Sequence, residues 1–171
     1  MLDGDPTLHL VCGKIASGKS TLAHRLAEQS TAVLIGEDRW LSRLYPDEIT
    51  SVKDYIRCSR RLHDVMGEHV VALLGAGLSV VLDFPANTVS IRAWMRSIGE
   101  NAGVKNRLHF LDVSDTVCKA RLRQRNEDGL HDFAPSEADY DVITGFFEPP
   151  SADEGFNICV YSEDKGVSIS T

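Results

Sequence analysis

Nine residues decide the fold of this chain: Gly13-Lys14-Ile15-Ala16-Ser17-Gly18-Lys19-Ser20-Thr21. They match the phosphate-loop pattern, in which a glycine, four further residues and a second glycine precede a lysine and a serine or threonine. An apolar run of strand length, Thr7–Cys12, comes before them, and apolar residues at helical spacing come after them: Leu22, Ala23, Leu26 and Ala27. The pattern therefore lies between a buried strand and the start of a helix.

This position makes the stretch suitable for binding an anion. Glycines let successive backbone N–H groups face one anion, and the dipole of the following helix adds to the attraction. We expect Lys19 to reach the β- and γ-phosphates of ATP and the Ser20 hydroxyl to ligate Mg²⁺. The sequence thus predicts a site for ATP and Mg²⁺ made by Gly13, Lys14, Ile15, Ala16, Ser17, Gly18, Lys19, Ser20 and Thr21.

Length and composition predict a single domain over residues 1–171, because a chain of this length can bury a sizeable core. The formal net charge is −7, which weighs against a general nucleic-acid binder, since such a protein needs a basic surface. No apolar run approaches the length of a membrane span, and the first residues are acidic rather than signal-like. We therefore expect a cytoplasmic protein.

The cysteines and histidines do not indicate a metal centre. None of the four cysteines forms a Cys-x-x-Cys pair, and the six histidines show no zinc-ligand spacing. We expect the cysteines to be buried thiols in a reducing compartment: Cys12, Cys58, Cys118 and Cys159.

Strand and helix patterns alternate along the chain, which predicts an α/β fold with a mainly parallel sheet covered on both faces. Five strands are expected: Thr7–Cys12, Thr31–Ile35, Leu78–Leu82, Lys105–Leu111 and Phe156–Tyr161. The predicted helices are the segment from the phosphate loop to Gln29, Trp40–Tyr45, Val52–Leu74, a helix capped by Asn87 or Thr88, one capped by Ser114, and Ser136–Phe147. The tail after Ser162 is expected to be loosely held.

Two carboxylates that come after predicted strands are candidate site residues, because ligands bind at that edge of an α/β sheet. Asp38 follows the second strand, and Asp83 follows Val80-Val-Leu82, a segment similar to a Walker B strand. We predict that Asp83 and Ser20 serve the metal, Asp83 by holding its water shell; Asp83 could instead orient a basic residue at the acceptor. The structural alternatives are that Asp38 caps a helix beginning at Arg39 and that Asp83 caps a turn.

Two groups of arginines are candidates for binding anions. Arg121 and Arg125 are four residues apart and share a helical face, although a solvated helix end would also favour cations there. A polar, glycine-containing segment follows them and predicts a lid at about residues 126–136. The second group, Arg57, Arg60 and Arg61, is either a solvated face or a cationic patch at an acceptor site.

Together these residues resemble the small P-loop kinases grouped with the 5′-hydroxyl polynucleotide kinases, zeta toxins and chloramphenicol phosphotransferase. The resemblance runs from about Thr7 to Tyr161. It rests on the phosphate loop, Asp38, Val80–Asp83, Asn87-Thr88 and Arg121–Asn126. It implies a three-layer α/β/α P-loop nucleoside-triphosphate hydrolase fold with strand order 2-3-1-4-5.

The resemblance also implies a reaction and its residues. In this group an aspartate after the second strand commonly contacts the acceptor hydroxyl as a base, a position held here by Asp38. An arginine pair at this spacing commonly stacks on adenine and touches the phosphates, as Arg121 and Arg125 would. The implied protein is a kinase that transfers the γ-phosphate of ATP to a hydroxyl of a small molecule, with Lys19, Asp38 and Arg125 as catalytic residues.

Other functions stay open at this point. Polynucleotide kinases tend to carry an arginine where this chain has Leu41, which favours a small-molecule acceptor over a nucleic-acid end. A nucleotide-dependent ATPase or switch is the main alternative, but Phe84 stands where an ATPase often has a glutamate beside the Walker B aspartate. The acceptor can be a small alcohol, a sugar, an antibiotic, a nucleoside or a nucleic-acid end.

Overall fold

The fold is built on one sheet. The computed structural model describes residues 5–129, 134–162 and 166–170, the last of these by its backbone. Within these ranges the sheet has six strands: β1 (Thr7–Cys12), β2 (Val33–Gly36), β3 (Val80–Pro85), β4 (Lys105–Asp112), β5 (Asn157–Ser162) and β6 (Gly166–Ser170). Their order is β2-β3-β1-β4-β5-β6, and the first five run parallel. The predicted five-stranded parallel sheet and its order 2-3-1-4-5 are therefore confirmed.

The sixth strand corrects the expectation of a loose tail. β6 runs antiparallel to β5, with partners from Ser162↔Gly166 to Ile158↔Ser170. Without it, β5 would leave a row of unpaired backbone groups at the edge of the sheet. The alternating sequence of residues 166–170 suits a strand in that position.

Helices cover both faces of the sheet. The described residues contain α1 (Lys19–Ser30), α2 (Glu37–Leu44), α3 (Val52–Gly75), α4 (Val89–Ala102), α5 (Asp115–Asp128), α6 (Glu137–Thr144) and a short 3₁₀ turn at Ala152–Glu154. The N-cap residues of α3 to α6 each accept a hydrogen bond from a backbone N–H group of the first turn through their side-chain oxygen: Ser51, Thr88, Ser114 and Ser136. Thr88 and Ser114 are thus confirmed as caps. None of the described helices is both long and apolar enough to cross a membrane.

The helix ends change the predicted lid. Helix α5 continues through Asn126 and ends at Asp128. Gly129 is its C-cap, with a φ of 64° that suits glycine. Ser136, at the other end of the predicted lid, caps α6, which ends at Thr144 rather than Phe147. Residues 130–133 of the predicted lid lie outside the described residues, so the lid stays a prediction, as does the single domain over 1–171.

The core has one layer on each face of the sheet. Because side chains alternate along a strand, neighbouring residues of β1 face opposite layers. One layer joins β1, β3 and β4 to α3 and α4 through Leu8, Leu10, Leu62, Met66, Val80, Leu82, Met95, Ile98 and Leu108. The opposite layer joins the sheet to α1 and α5 through Val11, Ala23, Val81, Leu111, Cys118 and Leu122. All four cysteines are buried and free.

A buried ion pair fixes the turn after β3. Arg92 of α4 is fully buried, and its guanidinium donates to both carboxylate oxygens of Glu154, at 2.6 and 2.9 Å. The same side chain donates to the carbonyl oxygens of Ala86 and Glu148. This pair therefore holds the segment before β5 against the turn that carries Asn87.

Two buried histidines form a hydrogen-bonded row across neighbouring strands. His9 Nδ1 lies 3.1 Å from His109 Nε2, and His109 Nδ1 lies 2.8 Å from the Tyr161 hydroxyl. Burial and the charge of Arg107 lower the pKa of His9 to about 4. Burial, with the charges of His9 and Arg107, lowers the pKa of His109 to about 3. Both rings are therefore neutral in the folded protein near pH 7.

We expect this row to make stability depend on pH. The unfolded histidines take up protons below about pH 6.5 while the folded ones do not, so the free energy of unfolding falls as the pH falls toward about 4. Two such groups give a loss of about 4 kcal/mol between pH 7 and pH 5. Urea unfolding at the two pH values measures it, with the double variant His9→Gln/His109→Gln as comparison. Equal losses in both proteins would contradict the assignment.

Candidate functional site

The phosphate loop curls tightly between β1 and α1. Gly13 has φ of 151° and Gly18 has φ of 105°, conformations that glycine adopts without strain. A Cβ atom on Gly13 would lie 2.7 Å from Ser17 Oγ and 3.0 Å from the carbonyl oxygen of Leu111. The loop can therefore start only with glycine, as the sequence pattern predicts.

Lys19, the first residue of α1, folds back on the loop. Its Nζ donates to the carbonyl oxygens of Gly13 and Lys14, at 2.8 and 2.7 Å. Burial lowers the pKa of Lys19, and the nearby carboxylates of Asp83 and Asp38 act in the opposite direction. The ammonium group is thus placed among the loop carbonyls and within the field of carboxylates from β3 and α2.

Two side chains from elsewhere in the chain hold the loop backbone. Asn87 Oδ1 accepts a hydrogen bond from the Gly13 N–H at 3.0 Å, and Arg121 donates to the Ser17 carbonyl oxygen at 3.1 Å. Arg121 therefore contacts the loop itself. The predicted contact between Arg121 and adenine stays a prediction.

Sequence reasoning missed a third support of the loop. Lys14 Nζ lies 2.7 Å from Asp115 Oδ1 at the start of α5, and the Tyr140 hydroxyl donates to the same oxygen at 2.8 Å. Tyr140 is 1% exposed and belongs to α6. The contact therefore links α6 to the phosphate loop, and no local sequence pattern indicates it.

Asp83 and Ser20, the two residues predicted for the metal, lie together. Asp83 is paired in register with Gly36 of β2 and lies on the same face of β3 as Val81, which packs against α1. Burial raises the pKa of Asp83, while a hydrogen bond from the Ser20 hydroxyl and the charge of Lys19 lower it. Because Asp83 lies within β3, the alternative of a turn cap is wrong.

Asp38 lies in the first turn of α2, directly after β2. Its Oδ1 accepts a hydrogen bond from the Tyr55 hydroxyl of α3 at 2.9 Å. Partial desolvation by the surrounding protein raises the pKa of Asp38, and the charges of Glu37 and Asp83 add to this increase. The Tyr55 hydrogen bond and the charge of Lys19 lower the pKa. The residue is nevertheless exposed, so solvent tempers the increase.

The position at which α2 begins excludes a capping role for Asp38. The helix begins at Glu37, two residues earlier than that alternative requires, and Gly36 occupies the N-cap position. Asp38 is therefore inside the first turn, where its charge is favoured by the helix dipole.

A buried carboxylate next to Asp38 was missed by the sequence reasoning. Glu37 is 2% exposed; its Oε1 lies 2.6 Å from His63 Nε2, and its Oε2 lies 2.9 Å from the Tyr55 hydroxyl oxygen. The His63 ring stacks on Trp94 at 4.5 Å and on Phe84 at 5.4 Å. Glu37 directly precedes Asp38 in the sequence, which could have indicated it, but nothing in the sequence connects His63 with either residue.

Arg125 reaches the same region from α5. The side chain is partly buried, burial lowers its pKa, and the charge of Asp38 raises it. Arg125 is thus close enough to Asp38 for their charges to interact. The predicted catalytic residues Lys19, Asp38 and Arg125 therefore come from three separate helices and meet in one region.

The arginines of α3 lie elsewhere. Arg57, Arg60 and Arg61 are exposed, and Arg57 pairs with Asp54 of its own helix at 3.2 Å. Helical spacing turns Arg57 and Arg61 away from Tyr55, the residue of α3 that contacts Asp38. The solvated face describes this group better than a patch at the acceptor site.

Two buried atoms of the site fit an anionic ligand. Within the described part of the chain, Ser17 Oγ and Arg125 Nε have no hydrogen-bond partner, although buried polar groups are normally paired. Phosphate oxygens are suitable acceptors for both.

Ser20 and Asp83 offer the oxygen ligands that Mg²⁺ prefers, and Mg²⁺ commonly needs few protein ligands when phosphates supply others. Among the described residues, no group of three His, Cys, Asp or Glu side chains could hold a metal.

Comparison with solved structures supports the fold. The chain is 20% identical to a protein from Chloroflexus aurantiacus J-10-fl described as a candidate kinase, covering 94% of this chain and 86% of that one with a TM-score of 0.73. It is 16% identical to a sugar kinase from Janibacter sp. HTCC2649, covering 93% and 86% with a TM-score of 0.64. It is 22% identical to the APS kinase CysC of Mycobacterium tuberculosis, solved with AMPPNP and APS, covering 95% and 91% with a TM-score of 0.59.

The sequence comparisons give the family. Among curated proteins, none matches the chain. The model of one family, the AAA domain (AAA_33), matches residues 8–150, which is more than half of the chain. The resemblance inferred from the motifs is thereby confirmed for the family and the fold, and the chain belongs to the AAA domain family AAA_33.

Proposed function

We propose that this protein is an ATP-dependent phosphotransferase that moves the γ-phosphoryl group of ATP to a hydroxyl group of a small molecule. One observation carries the proposal: Asp38 lies within the electrostatic reach of both Lys19 and Arg125. A carboxylate at that place can serve a hydroxyl group that approaches the phosphate end of a nucleotide. The kinases with the same fold support this choice.

The phosphate loop and its neighbours would hold the nucleotide and Mg²⁺. The loop amides, Lys19 and Arg125 would bind phosphate oxygens, and Ser20 with Asp83 would hold the metal directly or through water. Bound Mg²⁺ neutralises charge on the β- and γ-phosphates during transfer. Arg121, which already contacts the loop, would place Arg125 one helical turn further along the same face.

Asp38 would act on the acceptor. Phosphoryl transfer depends mainly on neutralising charge and aligning the acceptor, so a single carboxylate suffices to orient the hydroxyl group. As the new O–P bond forms and the bond to ADP breaks, Asp38 would take the hydroxyl proton. Lys19 and Arg125 would balance the charge of the transferred group.

The alternative is an ATPase or switch in which water replaces the acceptor. An activating glutamate next to Asp83 would favour it, but Phe84 occupies that position and is fully buried. A nucleic-acid 5′-hydroxyl is a further alternative; the arginine expected for it is replaced by Leu41, which is buried. Both are outcomes of the experiment below.

The test is a screen for ADP release against a library of hydroxyl compounds: small alcohols, sugars, sugar acids, nucleosides, aminoglycosides and a DNA oligonucleotide with a free 5′-hydroxyl. We expect one small-molecule class to accelerate ADP release well above the rate without acceptor. Asp38→Asn should abolish the acceleration while leaving the slow background. Acceleration by the oligonucleotide would support the nucleic-acid alternative. If no compound accelerates ADP release, the result would support the ATPase.

We also propose that the protein works in the cytoplasm. The four cysteines are buried and free, as thiols are in a reducing compartment.

A further inference from the structure

Three side chains form a hydrogen-bonded group directly behind Asp38. The Tyr55 hydroxyl lies 2.9 Å from Glu37 Oε2 and 2.9 Å from Asp38 Oδ1. His63 Nε2 lies 2.6 Å from the other Glu37 oxygen. The contacts therefore run from His63 through Glu37 and Tyr55 to Asp38, and Asp38 is the exposed end of this row.

The group is held by two helices and an aromatic stack. Glu37 and Asp38 share the first turn of α2, and Tyr55 and His63 lie about two turns apart on α3. The His63 ring is 4.5 Å from the Trp94 ring and nearly parallel to it. Side chains fixed in this way present their hydrogen bonds in a constant direction, which is what a positioned carboxylate needs.

The number of protons available for hydrogen bonding determines the role of each side chain in this group. Tyr55 has one hydroxyl proton for two carboxylates, whereas His63 can supply an N–H of its own to Glu37. The His63 contact therefore satisfies Glu37, which is buried, and leaves the Tyr55 proton for Asp38. A hydrogen bond donated to a carboxylate favours the ionised form.

We propose that Glu37, Tyr55 and His63 are positioning residues that orient the Asp38 carboxylate, and that the Tyr55 hydrogen bond keeps it ionised, so that it can accept the proton of the acceptor hydroxyl. This rests on the proposed role of Asp38 in phosphoryl transfer. The site so described extends that role from one exposed carboxylate to a row of four side chains on α2 and α3.

The charges around Asp38 give two variants opposite effects. Asp38 accepts a hydrogen bond from Tyr55 of α3, and the charges of Glu37 of α2, Asp83 of β3, Lys19 of α1 and Arg125 of α5 act on it. Tyr55→Phe removes a donor to the ionised form, so the pKa of Asp38 rises. Glu37→Gln removes a neighbouring negative charge, so the pKa of Asp38 falls. Simple loosening of the structure would not produce opposite signs.

The test is a ¹³C NMR titration of the side-chain carboxyl groups in the full chain, without nucleotide or acceptor, with the Asp38→Asn spectrum for assignment. We expect Tyr55→Phe to raise the midpoint of Asp38 by about one pH unit and Glu37→Gln to lower it. The matched control is Tyr45→Phe, which removes a hydroxyl from another partly buried tyrosine, and it should leave the midpoint unchanged.

An unchanged midpoint in folded Tyr55→Phe, or shifts of the same sign in both variants, would overturn the proposal. If Tyr55→Phe does not fold, His63→Phe decides instead, because it keeps an aromatic ring on Trp94 and removes the N–H donor. His63→Phe should raise the titration midpoint of Asp38 although His63 does not contact Asp38. An unchanged midpoint would overturn the proposal.

This titration separates the two proposals. It needs no turnover, so a protein without acceptor-dependent ADP release could still show the shifts, and only the proposed function would fail. If ADP release is found, the acid limb of its pH profile should move to higher pH in Tyr55→Phe. The KM for ATP should stay the same.

Discussion

Asp38→Asn is expected to lower acceptor-dependent ADP release by roughly 10²–10⁴-fold, the usual contribution of a positioned general base. Asparagine keeps the size of the side chain and can still hydrogen-bond to Tyr55, but it cannot take a proton. Because Asp38 lies in α2 and contacts α3 rather than the phosphate loop, the affinity for ATP should stay the same. The rate is measured with the acceptor found in the hydroxyl screen.

The matched control for this variant is Asp64→Asn, an exposed carboxylate on α3. It should leave both the rate and the affinity unchanged. The background hydrolysis of ATP should change little in Asp38→Asn, since water needs no fixed acceptor contact. An equal loss of ATP affinity in Asp38→Asn would show that the residue serves the nucleotide or the fold, contrary to the assignment.

Lys19→Ala is expected to weaken ATP binding and to lower turnover by roughly 10²–10³-fold or more, as the loss of one charge-stabilising donor does in other sites. In the structure the Lys19 ammonium bonds only to loop carbonyl oxygens within the described residues. Removing it should therefore leave the fold intact. Isothermal titration calorimetry with Mg²⁺ and AMPPNP measures the affinity, and circular dichroism checks the fold.

For Lys19→Ala the control is Lys105→Ala, whose side chain is 79% exposed at the start of β4. That end of a parallel strand is opposite to the edge that carries the phosphate loop. Wild-type affinity and turnover in Lys19→Ala would contradict the role of the loop in binding the triphosphate.

The part of the fold that the sequence predicts comes from local patterns. The loop from Gly13 to Ser20 combines glycine spacing with flanking strand and helix signals, and the structure places each where expected. The strand order followed from the resemblance rather than from any periodicity. Asp38 and Asp83 were found because carboxylates after buried strands of a parallel sheet share one edge.

The part that the sequence does not predict depends on distant contacts. His63 lies 26 residues from Glu37, and Tyr140 lies 25 residues from Asp115, so no spacing rule connects either pair. β6 was missed because its pairing depends on the free edge of β5, which is visible only once the sheet is assembled. Helix ends shifted by a few residues, as they do where glycine and capping side chains compete.

The central claim is that a hydroxyl compound, and not water, receives the γ-phosphoryl group. It is tested most directly by running the reaction with ATP and the acceptor in H₂¹⁸O and following the products by ³¹P NMR and mass spectrometry. Transfer to the acceptor gives a phosphate ester without ¹⁸O, formed in step with ADP, and little labelled inorganic phosphate. Inorganic phosphate carrying one ¹⁸O per ADP, with no ester, would contradict it.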